Sequence, residues 1–486
     1  MKSKIKLIII IGIVLVLLAG AAVALKLTAP ADEEEQTAEE EVTSSLIFDK
    51  DPTDIKTLTI TNSYGSYAVE RFGDEGGYAW TVLEYLYAPV SSTQINTLLN
   101  KAATLTAQQT VVENAEDLSI YGLSEPTAEY KVEFDDSQNT VKEICIGSSV
   151  PGKSGKSYMY LKGSPTVYTV NTSDVSCFTQ DKTECINKTV YTAYTSDDAN
   201  DTTDYTRINK MTIQRKDLDY DIVIEYDTRL DDENAVVSNS SSYRMTSPVT
   251  LDLNPDKCTD VIQGVFGLTA DSFALLNPTE EDLEEYGFSD PTAIITMNIV
   301  GGDFRMLVGD PYNDEDGNQA GYYAIVEGYE VVYRFSNSKL PWVSVMPLDI
   351  TTTMITSNYI YGVSSIDITG NAEAHFTMTG SEASDFAVKL NGNDVDSDSF
   401  KTFYQFILRA PAEQLCFDDV SGEPALTIAI RSASGNDTIE FYPTENRRTI
   451  IRLNGITSFT CKTAYLDRLI ENIGKFENGE DLITNW

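Results

Sequence analysis

The sequence predicts an α+β protein: an N-terminal transmembrane helix followed by about three repeats of one β-rich unit, each an antiparallel meander sheet with one main helix. Three observations carry this. An uncharged run extends from Leu7 to Leu25 near the start of the chain. Residues 116–128, E-D-L-S-I-Y-G-L-S-E-P-T-A, recur at 281–293 as E-D-L-E-E-Y-G-F-S-D-P-T-A, with nine of thirteen positions identical. Segments that alternate apolar and polar residues, the period of a half-buried strand, recur on both sides of that element.

The Leu7–Leu25 run, at about 1.5 Å per residue, approaches the thickness of a bilayer core. Lys2, Lys4 and Lys6 precede it, and carboxylates dominate Asp32 to Glu41. By the positive-inside rule, residues 1–29 are a cytoplasmic tip and signal-anchor, and all that follows lies outside the cytoplasm. The alternative is a cleaved signal peptide ending at Ala22-Val23-Ala24, which also places the body outside. There is no lipobox cysteine. Residues 30–45, rich in Glu, Thr and Ser, read as a solvated acidic tether.

The body divides into units at 46–195, 200–355 and 356–486. A helix is expected from Ser91, with Ile95, Leu98, Leu99 and Ala102 on one face and Ser91 and Gln94 spaced as a capping box. Its counterparts start at Asn254-Pro255 (Cys258, Val261, Ile262) and at Asp396 (Phe400, Phe403, Ile407). Two strands precede each helix: 57–61 and 67–71, 210–214 and 222–226, 365–369 and 375–379. A four-stranded meander follows each: 128–134 to 166–170, 293–300 to 330–335, and 425–431 to 458–461.

The repeated turn has a physical account. Asp-Leu-x-x-Tyr makes one helical turn ending at Tyr121 or Tyr286, and Gly122 or Gly287 supplies the left-handed residue that stops it. Pro126 or Pro291 then prevents helix from resuming and launches the next strand. These six residues are therefore structural. The third unit has only Gly422-Glu423-Pro424, without the tyrosine, and reads as a diverged end unit or a cap.

Composition excludes some functions. The 35 Lys+Arg against 75 Asp+Glu give a formal net charge of −40, which repels phosphate backbones and argues against nucleic acid as a partner. The six cysteines lack metal spacing. The repeat sets Cys258 beside Ile95 and Phe400, Cys145 beside Leu307, and Cys461 beside Val170 and Phe335, which makes them small core residues. A local disulfide between Cys177 and Cys185 stays open.

The chain resembles the DUF4340 family, whose domain has no established activity. The resemblance rests on the lysine-flanked N-terminal helix and acidic tether, the W-T strand end at Trp80-Thr81, and the helix after it. It rests also on the E-D-L-x-x-Y-G-L-x-x-P-T-A turn, a strand ending Ile146-Gly147, and a closing strand from Tyr168 to Val170. It covers about 46–180 and 275–340, and thins over the third unit. Members often sit beside genes for ABC-2 type transporters similar to those of gliding-motility systems. The resemblance thus implies an accessory role beside a transporter permease or envelope complex.

No catalytic, metal or cofactor site is expected. Gly147 to Ser154 fits G-x-x-x-x-G-K-[ST], the phosphate-cradling loop. That mechanism needs a helix next, whereas Ser157–Leu161 alternates like a strand, so the segment reads as a hairpin loop without nucleotide. In the acidic loop Asn313–Asn318, placing Gly317 at the sixth position of a calcium loop puts Tyr312 and Tyr323 where carboxylates are needed. His375 is the lone histidine, which removes most nucleophile–histidine schemes. The expected function is a membrane-anchored, extracytoplasmic, non-enzymatic binding or accessory protein. The alternatives are a carboxylate-based cell-wall or polysaccharide hydrolase and a structural surface protein.

Overall fold

The computed structural model describes residues 44–485 apart from 75–76, 232–240 and 418–419. The expected transmembrane helix and nearly all of the tether lie outside the described residues, among which no helix is long and apolar enough to cross a membrane.

Three large antiparallel sheets form the body. The first is built from two meanders. Ile55–Asn62, Gly65–Asp74 and Gly77–Val82 form one; Ala128–Phe134, Val141–Ser149, Lys156–Leu161 and Val167–Asn171 form the other. The first strands of the two meanders pair, Ile60 opposite Tyr130, so the meanders fuse into one sheet. The helix Ser92–Ala103 lies between them in sequence, and the short strand Gln109–Val112 after it adds to the far edge, giving eight strands.

The second sheet repeats this order with Ile208–Arg215, Ile222–Tyr226, Tyr243–Ser247 and Leu251–Asp252, then helix Pro255–Gln263 and flanking strand Ser272–Leu276. Its second meander is Ala293–Ile299, Phe304–Asn313, Gln319–Val326 and Val331–Ser336. The third sheet has Val363–Gly370, Ala374–Thr379, Ala387–Leu390 and Asn393–Val395, then helix Ser397–Leu408 and Gln414–Leu415. Its second meander is Leu426–Ser432, Asp437–Pro443, Arg448–Leu453 and Ile456–Lys462. Each of these two sheets has nine strands in the same spatial order. The third unit therefore has the full strand order of the second, as a diverged end unit does and a cap does not.

Alternation explains the strands. Along Ala128–Phe134 every second residue is buried, and these, with Leu58 and Ile60, face the helix residues Ile95, Leu98, Leu99 and Ala102. Each large apolar side chain buried this way contributes about 1.5–3 kcal/mol. The helices begin where their caps dictate: Ser91 accepts from the Gln94 N–H at 3.4 Å, Asn254 from Asp256, and Asp396 from Ser399. The expected capping box at Ser91 is one-sided, because the Ser91 N–H donates to Cys185 O at 2.8 Å while the Gln94 amide donates to Gln180 at 2.6 Å.

One main helix per unit fails in the third. After its last strand the chain forms a second helix, Thr463–Glu477, which buries Tyr465, Leu466, Leu469, Ile473 and Phe476. The first unit closes at this place with the short turns Thr172–Val175, Ser176–Thr179 and Lys182–Cys185, and the second with Asn337–Lys339 and Pro341–Val343. The ring of Phe476 meets Phe376, Phe400 and Phe403 at 5.4–6.5 Å, so the extra helix covers an aromatic core too wide for a short turn.

Candidate functional site

The repeated Tyr-Gly turn is a plug on the outer face of the sheet. Ser119–Tyr121 forms one turn of 3-10 helix ended by Gly122 at φ 66°, and Glu280–Glu285 forms a helix ended through Gly287 at φ 84°. The chain then closes back, Leu123 N–H to Leu118 O at 3.0 Å and Phe288 N–H to Leu283 O at 2.9 Å, the six-to-one bond of a glycine-ended helix. Tyr121 meets Tyr158 edge-on at 5.0 Å, and Tyr286 meets Tyr323 at 4.6 Å. Pro126 and Pro291 stand two residues ahead of the strands that begin at Ala128 and Ala293.

The turn docks on a second glycine that sequence reasoning missed. Tyr286 O accepts the Asp310 N–H at 2.9 Å, and Tyr121 O accepts from Ser148 Oγ at 3.1 Å. A Cβ on Gly147 would lie 2.3 Å from Tyr121 O, and one on Gly309 would lie 2.2 Å from Tyr286 O. Backbone touches backbone here, so glycine is required at this position of the strand. The signal was present as Ile146-Gly147 in one unit and Val308-Gly309 in the next.

The third unit changes both partners together. Strand register sets Ile146, Val308 and Phe441 at one position, so Tyr442 stands where the sister units have Gly147 and Gly309. Its ring, with Cys416 and Ile450, fills the place of the plug. The connection ahead of the strand spans 416–425, against 113–127 and 277–292, shorter by about one and a half helical turns.

The other sequence candidates fall into structural roles. Gly147 to Ser149 belong to a strand, and strand Lys156–Leu161 follows the loop where a phosphate-binding loop needs a helix; Lys153 donates to Gln109 at 3.0 Å. In the acidic loop the Asp314 carboxylate accepts the N–H groups of Asp316 at 3.0 Å and Asn318 at 2.8 Å, closing its own turn. Among the described residues no three His, Cys, Asp or Glu side chains stand together to hold a metal. His375 is half exposed and pairs with Asp367 across neighbouring strands.

All six cysteines are buried, and Cys177 and Cys185 are not joined by a disulfide. Cys258, Ile95 and Phe400 each stand four residues past their N-caps. Cys461 opposes Thr449 as Val170 opposes Ser157 and Phe335 opposes Tyr322. Burial pushes the Cys145 thiol up to about 11 and the Cys185 and Cys461 thiols to about 12, so they are poor nucleophiles at neutral pH.

The seams between sheets hold the remaining polar groups. A cleft of about 250 Å³ between the second and third sheets is lined in part by Arg229, Arg244, Asp252, Thr356, Asp437 and Asn454. Asp437 accepts from Thr356 at 2.6 Å, Asn358 at 2.7 Å and Asn454 at 3.0 Å, which ties the linker to the third sheet. Arg229 grips Asp227 with two N–H groups and holds its carboxyl below the usual range. At the equivalent seam ahead of the second sheet, Tyr191 donates to Gly302 O at 2.8 Å and packs on Phe304. A general acid needs a raised carboxyl, and the Arg229 donors lower that of Asp227.

The family model of a domain of unknown function, DUF4340, matches residues 80–239 and 244–422, more than half of the chain. The chain belongs to the DUF4340 family. No curated protein and no solved structure matches it. The DUF4340 period is offset from the folding unit. Each match opens in the third strand of one sheet, Gly77–Val82 or Tyr243–Ser247, and runs on into the opening strands of the next. The family's sequence unit therefore contains the seam, whereas the folding unit ends at it.

Proposed function

We propose that this DUF4340 chain is a membrane-anchored, extracytoplasmic, non-enzymatic binding or accessory protein that works beside an ABC-2 type transporter or another envelope complex. The observation that carries this reading is the state of the polar groups. Asp136, Asp174, Asp227 and Asp271 are each shifted down, the first three chiefly by donors that bond them and Asp271 by Lys339 and Ser336 against its own burial. Such groups fix structure rather than transfer protons. The Leu7–Leu25 run and its preceding lysines support the anchor, and the family's frequent genetic neighbours support the partner. The test is affinity purification of the full chain from gently solubilised membranes. Recovery of an ABC-2 permease or another envelope protein in stable ratio is expected; recovery of the chain alone would sink the reading.

A further inference from the structure

The three sheets treat their first edge differently. In the second sheet, strand Leu251–Asp252 covers Tyr243–Ser247, and Asp252 pairs with Arg244 directly opposite. In the third, Asn393–Val395 covers Ala387–Leu390, and Asp394 pairs with Lys389 directly opposite. Both edges thus end in a short strand carrying an ion pair, a common guard against unwanted strand pairing.

The first sheet lacks both the strand and the ion pair. Its edge is Gly77–Val82, G-Y-A-W-T-V, which holds no charged residue and pairs with no further strand among the described residues. Phe72, Tyr78, Leu83, Leu86 and Tyr87 stand exposed around it, Leu86 at 58% and Tyr87 at 60%. An uncharged edge flanked by exposed aromatic and aliphatic side chains marks an interaction surface.

We propose that this edge takes, by strand addition, an extended segment of a partner protein in which apolar residues alternate with lysine or arginine. The sister sheets show that the position accepts a short antiparallel strand. Main-chain bonds to the edge would give affinity, and the exposed rings would receive alternate apolar side chains. The occupant's charge follows from the chain's net charge of −40, which repels a second copy and attracts a basic segment. The surface gives the accessory reading a docking point but rests on none of its premises.

The test uses the full chain and a synthetic peptide of alternating lysine and valine. Saturable binding that protects the amides of 77–82 from hydrogen exchange is expected. Ala79→Asp, an exposed change on this edge, should weaken binding about tenfold or more, while the charge-matched Asn393→Asp on the third sheet leaves it unchanged. Tyr78→Glu serves as the second variant should Ala79→Asp misfold. Equal loss in both variants would reduce the effect to bulk charge and overturn the proposal. So would binding without protection at 77–82, or a dimer of the chain that protects the same amides without peptide. Copurification of a permease with no peptide effect would remove only the edge proposal; the reverse would remove only the accessory reading.

Discussion

The second and third sheets solve one packing problem in opposite ways. In the second, the outer face is covered by main chain: the Tyr286-Gly287 turn lies flat on Gly309, carbonyl against glycine. In the third, one side chain does the covering, and Tyr442 packs with Cys416 and Ile450 under a shortened connection. The turn and the strand glycine are thus one device in two parts. Either part alone leaves a clash or a void, and the third unit has neither part.

The largest expected effect is forcing one solution onto the other. Gly309→Tyr drives a ring into the Tyr286 carbonyl and should cost roughly 3 kcal/mol or more, read by urea unfolding, with faster hydrogen exchange over 280–288. Little loss of stability would break the comparison. Next, Tyr442→Ala empties the third unit's cover and should cost about 3 kcal/mol; a loss confined to a few tenths would mean the ring covers nothing. A finer contrast uses two left-handed glycines. Gly122→Ala meets strain at φ 66° and the Ser148 N–H at 2.9 Å, whereas Gly422, at φ 89°, has nothing within 4 Å. The first should cost about 2 kcal/mol and the second about 1, and equal values would show that docking adds nothing to strain.

Acid should separate the sheets more gently. Asp136, Asp174, Asp227 and Asp271 of the first two units lie below their ordinary values. Among the described residues the third unit's one such group is Asp396, at its helix cap. A lowered carboxyl contributes stability that is present above about pH 4 and drains as pH falls toward the native value. Hydrogen exchange, corrected for intrinsic rates, should therefore show the first two sheets loosening before the third; the reverse order would refute the assignment. The smallest effect concerns the thiols. With every cysteine buried, iodoacetamide should leave the native chain almost unmodified and label it fully in denaturant.

Much of this architecture was legible in the sequence, because its cues are local. The strand Ala128–Phe134 and the caps Ser91, Asn254 and Asp396 fall where alternation and capping placed them. The flanking strands were not visible. Gln109–Val112 and Gln414–Leu415 are too short to establish a period, and they exist only because a distant edge pairs with them. The fusion of the two meanders was hidden for the same reason, since Ile55–Asn62 carries no mark that names Ala128–Phe134 as its partner. Helix Thr463–Glu477 did carry a sign, the spacing of Tyr465, Leu469, Ile473 and Phe476, but the repeat pattern gave no reason to look past the last strand. As for the site, the Tyr-Gly turn was readable as a motif, while Gly147 and Gly309 gained meaning only once the turn was seen lying on them.

The fused sheets also set a timetable. The partner of Asn62 is Ala128, and the partner of Ile55 is Phe134, so the opening hairpin of the first sheet, which ends at Asp74, must wait until Phe134 before its inner edge is covered. At a synthesis rate of roughly 5–20 residues per second, that interval is on the order of 3–12 s. The chain passes through it once for every sheet. A newborn unit therefore spends seconds with a bare apolar edge, and the period of greatest danger to this protein comes before its folding is complete.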